Sequence, residues 1–568
     1  MNSKQAGTPR RDGAVHPRAW RKVLAHAGLA FATALASVGV GAEPATVFDD
    51  WRTYGQGSAN QRYSPLADIS TANVSALAPA WIFQTGVVGT FPTNPLVVEG
   101  VMYLTTPFNH VIALDAATGQ QKWRYTHTLA RKELCCGSHN RGLAWQDGRL
   151  FMVTADARLL ALEAATGKVV WDVPVVDPMT GNPVDLEALK SFDPAHQAAF
   201  DRAVRFAGNM APAVHGDRIF VGVSGTGYSA VLGDAEQDSA SVLGRPGVRD
   251  GLRAFMSAYS VKDGRLLWRW YSTADKGWEG EFAEKTSFGD DLGRDIAAEK
   301  AALAKYADAW KTGGGSIYST PSIDPELGLL FFGTGNASPG YADSRRPGDN
   351  LYTSSVVALE LATGKLRWYH QLVPHDLWGY DAASPPVLLD APDAAGNKVP
   401  ALAVASKSGW MYVFDRRNGQ ALRRSEAFVP QSQPMFRHAT PEGVEVAPGA
   451  AGGANWPPSA FHPGTGLVYV PATHNPTRYH LERDAKGEYV TVLSFGGDVP
   501  RTGTFSAIDP ATGRIAWQMV AAAGKRDGRD QRQDKAQISR DHYFLRRRRF
   551  FKEHVRKGRA RGAKIHLS

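Results

Sequence analysis

The sequence predicts an all-β chain of the β-propeller type, and three observations predict it. One eleven-residue phrase returns along the chain. Short apolar runs bounded by glycine turns lie between its copies. The chain also has 15 Trp and 58 Gly among 568 residues, which suits many short strands joined by tight turns, with large aromatics between packed sheets.

The phrase first reads Ala113-Leu-Asp-Ala-Ala-Thr-Gly-Gln-Gln-Lys-Trp123 and recurs as Ala161-Leu-Glu-Ala-Ala-Thr-Gly-Lys-Val-Val-Trp171. Variants follow at Ala258–Trp268, Ala358–Trp368 and Ala507–Trp517, and a degraded copy, Val413-Phe-Asp-Arg-Arg-Asn-Gly419, lacks the closing Trp. A short apolar strand ends at the acidic residue, Thr-Gly makes the corner, and a second strand ends in Trp. The first two Trp are 48 residues apart and the next gaps are 97 and 100, near two such periods. A period of that size with four short strands is a propeller blade, and Trp at such places packs blade on blade. Leu96–Tyr103 and Gly328–Gly333 are further strand runs. Asp185–Arg205 and Gly277–Lys311 read as insertions, with helix expected over Ala297–Trp310, and insertions on one rim are where pockets tend to be built.

The ends of the chain differ from this body. Arg18, Arg21 and Lys22 flank the weakly apolar run Val23–Ala42, and Val40-Gly41-Ala42 offers a cleavage point, so residues 1–42 read as an export signal. His26 and the many Ala and Gly argue against a permanent span. Residues 525–568 carry 16 Lys and Arg against 5 Asp and Glu, a surplus of 11 in a chain whose net charge is +9, so the remainder stands at −2. The basic balance reports the tail, not the partner of the body. The expected organisation is a signal over 1–42, a propeller over 43–520 and a basic tail over 521–568, in which Arg546–Arg549 reads as solvated. Nucleic acid is not an expected partner, because the basic residues cluster outside the repeats.

The two cysteines, Cys135 and Cys136, are adjacent. Consecutive Cα atoms lie about 3.8 Å apart, below the usual disulfide span, so joining them strains the bond or the peptide between. Adjacent thiolates without a second pair make a poor zinc site, and two buried free thiols are the plain alternative. The segment Cys135-Cys136-Gly-Ser-His-Asn-Arg141-Gly-Leu-Ala, together with the blade phrase, resembles the signature of the pyrroloquinoline-quinone (PQQ) alcohol dehydrogenases over about Trp51 to Trp517. The resemblance implies an eight-bladed quinoprotein propeller, a Cys135–Cys136 disulfide against one face of PQQ, and a calcium or lanthanide ion beside the reactive carbonyl. It places Arg141, Thr154, Ser224, Gly225, Ser316, Tyr318, Lys407, Asn455 and Trp456 around the cofactor. Tyr318 stands where the stacking Trp is expected. Asn336 and Asp381 are the implied metal ligands, and Asp381, Asp376 and Lys407 the implied catalytic groups. Turn capping is the competing role for Asp376 and Asp381.

The chain departs from that pattern. Phe91-Pro-Thr-Asn-Pro95 lacks a Glu, Ser224-Gly-Thr-Gly227 lacks the metal-binding Glu, and His375-Asp-Leu-Trp-Gly379-Tyr-Asp381 has Gly where the catalytic Asp is expected. After Trp517 no further blade phrase follows, so the last blade or blades are expected to be incomplete. No Cys-x-x-Cys-His attaches a haem. The resemblance therefore implies a periplasmic oxidoreductase that passes electrons from an alcohol to a separate partner, a soluble cytochrome c or another periplasmic acceptor. The alternatives are a non-catalytic periplasmic scaffold and an inactive, truncated member of the family.

Overall fold

An apolar strand that stops at an acidic residue, a Thr-Gly corner and a second strand should close as a hairpin, and in the computed structural model every copy of the phrase does so. The structure describes residues 50–521 apart from 130–132, 135–136, 176–205, 226–229, 232–241, 244–250, 341–342, 484–486, 488 and 496–500. These belong to one compact unit, Val47–Ser568. The expected export signal, the tail beyond Ala521, the Cys135–Cys136 pair and the insertion Asp185–Arg205 lie outside the described residues.

Six four-stranded antiparallel sheets follow one another in sequence. The first runs Leu96–Val98, Val101–Thr105, Val111–Asp115 and Gln121–Tyr125; the second Ala144–Gln146, Arg149–Val153, Arg158–Glu163 and Val169–Pro174. The third comprises Ala213–His215, Arg218–Gly222, Phe255–Ser260 and Leu266–Tyr271, and the fourth Ser322–Asp324, Leu329–Gly333, Ser355–Glu360 and Leu366–Gln371. The fifth comprises Val387–Pro392, Lys398–Ala405, Met411–Asp415 and Ala421–Arg424. The sixth comprises Ala460–His462, Leu467–His474, Thr502–Ile508 and Ile515–Ala521, one residue past the expected limit at 520. Six complete blades thus lie among the described residues, where the resemblance implies eight. Two three-stranded sheets accompany them, one of Glu133–Leu134, Ala230–Val231 and Val242–Leu243, the other of Val444–Val446, Thr477–Arg483 and Tyr489–Phe495.

The repeated phrase encodes a local device. In the first blade the Asp115 carboxylate accepts from the amides of Ala117 and Thr118 and from the Thr118 hydroxyl, and the Gly119 amide reaches back to the Asp115 carbonyl at 2.8 Å. Gly119 takes φ 71°, and a one-residue register shift follows between Ala113 and Leu114. The same shift recurs between Ala161 and Leu162, Ala258 and Tyr259, Ala358 and Leu359, Val413 and Phe414, and Ala507 and Ile508. This is a hairpin with a glycine bulge, which increases the local twist.

Period-two alternation then sends side chains to opposite neighbours. Leu330 and Phe332 pack with Phe220 and Met256 of the third blade, while Leu329 and Phe331 pack with Leu402 and Phe414 of the fifth. Both faces of Leu329–Gly333 are therefore buried, and the strand reads as a continuous apolar run. Helix over Ala297–Trp310 is only partly realised: one α-helix spans Ile296–Ala302, capped by Asp295, and a 3-10 turn spans Ala309–Thr312.

A strap spanning residues 50–62 ties distant blades together. Trp51 exchanges both backbone hydrogen bonds with Val97, the Ser58 carbonyl accepts from Ile323, the Ala59 carbonyl from Leu388, and the Gln61 carbonyl from Phe461. Asn60, at φ 55°, donates its side-chain amide to Ser322 Oγ and to the Pro321 carbonyl. Repeat periodicity carries no trace of this strap.

Candidate active site

In each blade the start of the first strand pairs with the end of the second, as in Leu96 with Tyr103, Ser322 with Phe331 and Val387 with Ala403. Residues just before the first strand and just after the second therefore share one end of the blade. Neighbouring blades are bonded to each other there. The Thr154 carbonyl accepts from Gly208, Val223 from Ile317, Thr334 from Ala382 and Ser406 from Ala454, each bond running from the exit of one second strand to the entry of the next blade. Every described residue expected in the site belongs to this layer of loops.

Asp381 is its centre. The residue is 5% exposed. Its Oδ2 accepts from Lys407 Nζ at 2.7 Å and from the Tyr318 hydroxyl at 2.6 Å, and its Oδ1 accepts from the Asn336 amide at 2.7 Å. Lys407 is also buried. Arg141 lies over two aromatic faces, its guanidinium carbon 5.2 Å from the Tyr318 ring centre and 5.6 Å from that of Trp456. One Arg141 nitrogen donates to the Asn209 carbonyl at 3.0 Å. The Gly225 amide donates to Ser316 Oγ at 3.1 Å, two residues from Tyr318. The remaining expected residues satisfy local backbone. Thr154 Oγ1 accepts from the Arg158 amide, Ser224 exchanges backbone bonds with Ala207, Asn336 Nδ2 donates to the Ala337 carbonyl, and Asn455 Oδ1 accepts from the Trp456 amide.

Asp376 is fixed as a turn cap. It is fully buried, its Oδ1 accepts from the amides of Trp378 and Gly379, and its Oδ2 accepts from Ser354 Oγ at 2.8 Å. Burial, and then the charge of Asp381, push its carboxyl above the usual range. Arg346, also fully buried, holds the Asp376 carbonyl at 2.6 Å. The expected catalytic role for Asp376 is corrected on this geometry, because a carboxylate committed to two amides and a hydroxyl in the interior is not presented to a substrate. An ion network in the insertion backs the same loop: Arg294 forks onto both oxygens of Glu299 and reaches Asp349, Glu299 accepts from the Gly348 amide, and His375 Nδ1 meets the Gly348 carbonyl. Sequence reasoning missed this network, since its members are about 5 to 80 residues apart and carry no motif.

Fold and site together define a propeller that brings two cations, two aromatic faces and the buried Asp381 carboxylate to one end of its blades. The β-propeller domain family described as PQQ glucose/ethanol/alcohol dehydrogenase matches residues 51–435. The chain is 31% identical over 534 residues to the quinohemoprotein alcohol dehydrogenase ADH IIB of Pseudomonas putida, covering 86% of this chain and 67% of that protein. It is 31% identical over 500 residues to a lanthanide-dependent methanol dehydrogenase of Methylacidiphilum fumariolicum, covering 83% of this chain and 73% of the relative. The crystal structure of the Comamonas testosteroni quinohemoprotein alcohol dehydrogenase superposes with a TM-score of 0.63 at 28% identity, over 84% of this chain and 67% of that one. The chain belongs to the PQQ-dependent alcohol dehydrogenase family. It spans about two thirds of the length of the quinohemoprotein relatives, and 62% of the Comamonas testosteroni sequence.

The residues present fit the cofactor of that family. Arg141 and Lys407 are cations of the kind that binds a planar polyanion, and Tyr318 and Trp456 offer flat surfaces. A metal ion fits the same residues poorly. Asp381 already holds an ammonium, and Asn336 meets it through the backbone amide, whereas calcium takes about six to eight oxygens.

Proposed function

We propose that this chain binds PQQ in the loop layer around Asp381 and oxidises an alcohol in the periplasm, passing electrons to a separate cytochrome c or other acceptor. The observation that carries the reading is that Lys407 and Tyr318 meet on the buried Asp381 carboxylate while Arg141 lies over the Tyr318 and Trp456 rings beside it. Bound PQQ supplies a two-electron acceptor for the hydride of the alcohol carbon. Arg141 would hold carboxylate oxygens of the ligand, a task for a planar, permanently charged fork. Tyr318 and Trp456 would offer flat aromatic surfaces to the cofactor ring. Asp381 takes the hydroxyl proton of the alcohol, and Lys407 and Tyr318 fix its Oδ2 while it does so. Export through residues 1–42 belongs to the same proposal. Among the described residues no helix is long and apolar enough to cross a membrane.

A second reading, cofactor binding without turnover, is favoured by Gly379. Gly379 stands at φ 76° where the family pattern has a catalytic Asp. One experiment separates the two. PQQ is added to the purified chain, and dye reduction is followed with a panel of alcohols for the chain and for Asp381→Asn. The enzyme reading expects stoichiometric binding by both proteins, with turnover of the variant lower by about 10²- to 10⁴-fold. Binding without turnover by the unchanged chain selects the second reading, and a folded chain that does not bind PQQ refutes both.

A further inference from the structure

We propose that the Lys407 ammonium is the resident cation of this site, and that the chain binds PQQ without a calcium or lanthanide ion. The inference rests on the PQQ reading above and goes beyond it.

Asp381 is the starting point. A carboxylate offers about four lone-pair positions. Lys407 Nζ and the Tyr318 hydroxyl both bond to Oδ2, and the Asn336 amide takes one position on Oδ1. One position is left for any further cation. Among the described residues, other carboxylates do not make up the difference. Asp376 is engaged by two amides and a hydroxyl, position 379 is Gly, and Ser224-Gly-Thr-Gly227 contains no acidic residue. Among the described residues no three of His, Cys, Asp and Glu gather as a metal site. A divalent or trivalent ion at Asp381 Oδ1 would also stand close to an ammonium that is 2.7 Å from the other oxygen of the same carboxylate, and like charges that close repel strongly in a buried site.

Lys407 is built in rather than caught in passing. It lies on a tight turn in which Ser406 accepts backbone bonds through its carbonyl from Gly409 and Ala454, and its own amide donates to the Trp410 carbonyl. Gly453, at φ 61°, presses on that turn so closely that a Cβ there would lie 2.1 Å from the Lys407 carbonyl oxygen and 2.7 Å from its Cα. The backbone of Lys407 therefore has no room to withdraw, and an incoming metal ion would have to displace the ammonium from Asp381. In place of a Lewis acid, the site presents a hydrogen-bonding ammonium to an oxygen of the quinone.

The test uses the full chain stripped of metal with EDTA. PQQ binding is measured by quenching of tryptophan fluorescence in EDTA, in calcium and in lanthanum, and lanthanum alone is titrated calorimetrically into the chain and into Asp381→Asn. The expected result is one PQQ affinity in all three media, within about twofold, and the same lanthanum titration for both proteins. Lys407→Ala should weaken PQQ by more than about tenfold without rescue by either metal, whereas Lys407→Arg keeps most of the affinity. PQQ binding that requires a metal overturns the inference, as does a stoichiometric lanthanum site lost in Asp381→Asn. Neither of these outcomes depends on a variant at Lys407 folding. Absence of PQQ binding in every medium overturns both the PQQ reading and this inference, while metal-dependent binding overturns the inference alone.

Discussion

The joint between the third and fourth blades and the joint between the fifth and sixth solve one problem with different chemistry. In the first, Trp268 lies over Gly364 so tightly that a Cβ on the glycine would be 2.4 Å from the ring, and its indole N–H donates to the Leu361 carbonyl at 3.0 Å. Trp81 on Gly119, Trp123 on Gly167 and Trp368 on Gly419 repeat the arrangement, with indole bonds to Ala116, Ala164 and Arg416. The fifth blade has Arg423 at the equivalent register position, paired with Val413 as Trp368 is with Ala358. Its Nε donates to the Ala511 carbonyl, and its Nη2 reaches the Pro392 carbonyl at 3.2 Å. The volume of the missing ring is taken by backbone: a Cβ on Gly513 would meet the Arg424 carbonyl oxygen at 2.9 Å, and the Glu426 amide donates to the Gly513 carbonyl at 2.8 Å. What a joint requires is thus a donor for the next blade's turn carbonyl and something to cover its glycine. Either an indole or an arginine with a closer backbone meets that requirement.

Removing the ring tests the tryptophan joint most severely. Trp268→Ala opens a cavity between two blades and leaves the Leu361 carbonyl without its donor, and should cost about 3–5 kcal/mol in urea unfolding. A loss below about 1 kcal/mol would show that the ring is not what binds these blades. A smaller effect is expected from restoring the consensus. Arg423→Trp must fit an indole where the Arg424–Ser425 backbone already lies, and overpacking of this kind costs about 1–3 kcal/mol. A gain in stability would mean that the two joints are interchangeable after all. The smallest effect is one of pH. His370 packs at a tilt against Phe414 across the joint between the fourth and fifth blades, with ring centres 4.6 Å apart, and burial lowers its pKa below the usual imidazole value. Between that lowered value and the unfolded one near 6.5, the unfolded chain binds more protons, so the contribution of His370 is complete above the unfolded pKa and is lost as pH falls. Urea midpoints at about pH 7.5 and pH 5 should therefore differ less for His370→Phe than for the parent chain. An equal difference in both proteins would remove His370 from the pH response.

The comparison also shows why parts of this molecule were open to reading and others not. The hairpin, its bulge and the Trp-on-Gly joint follow from contacts within a few residues or between identical positions of neighbouring repeats, so one phrase announces them all. Arg423 was visible only as a gap, because a missing Trp does not say which residue covers the next glycine. Asp376 and Asp381 are five residues apart in one motif, and spacing did not separate the turn cap from the carboxylate that meets Lys407. Trp81 went unread because no strand of a described blade carries it.

By itself, then, the sequence determined a propeller of repeated four-stranded blades, the acidic-residue and Thr-Gly corner of each, and the family whose loop residues could be carried across. Those features depend on periodicity and local backbone preference, which are properties of the linear order. The tertiary structure decided the rest. It bonds each second-strand exit to the next blade's entry, threads the strap of residues 50–62 past the first, fourth, fifth and sixth blades, and brings Lys407 and Tyr318 onto one oxygen of Asp381. These contacts join residues from 26 to several hundred positions apart. Their partners are selected by which blade ends meet when the sheets pack, a choice that no local pattern encodes.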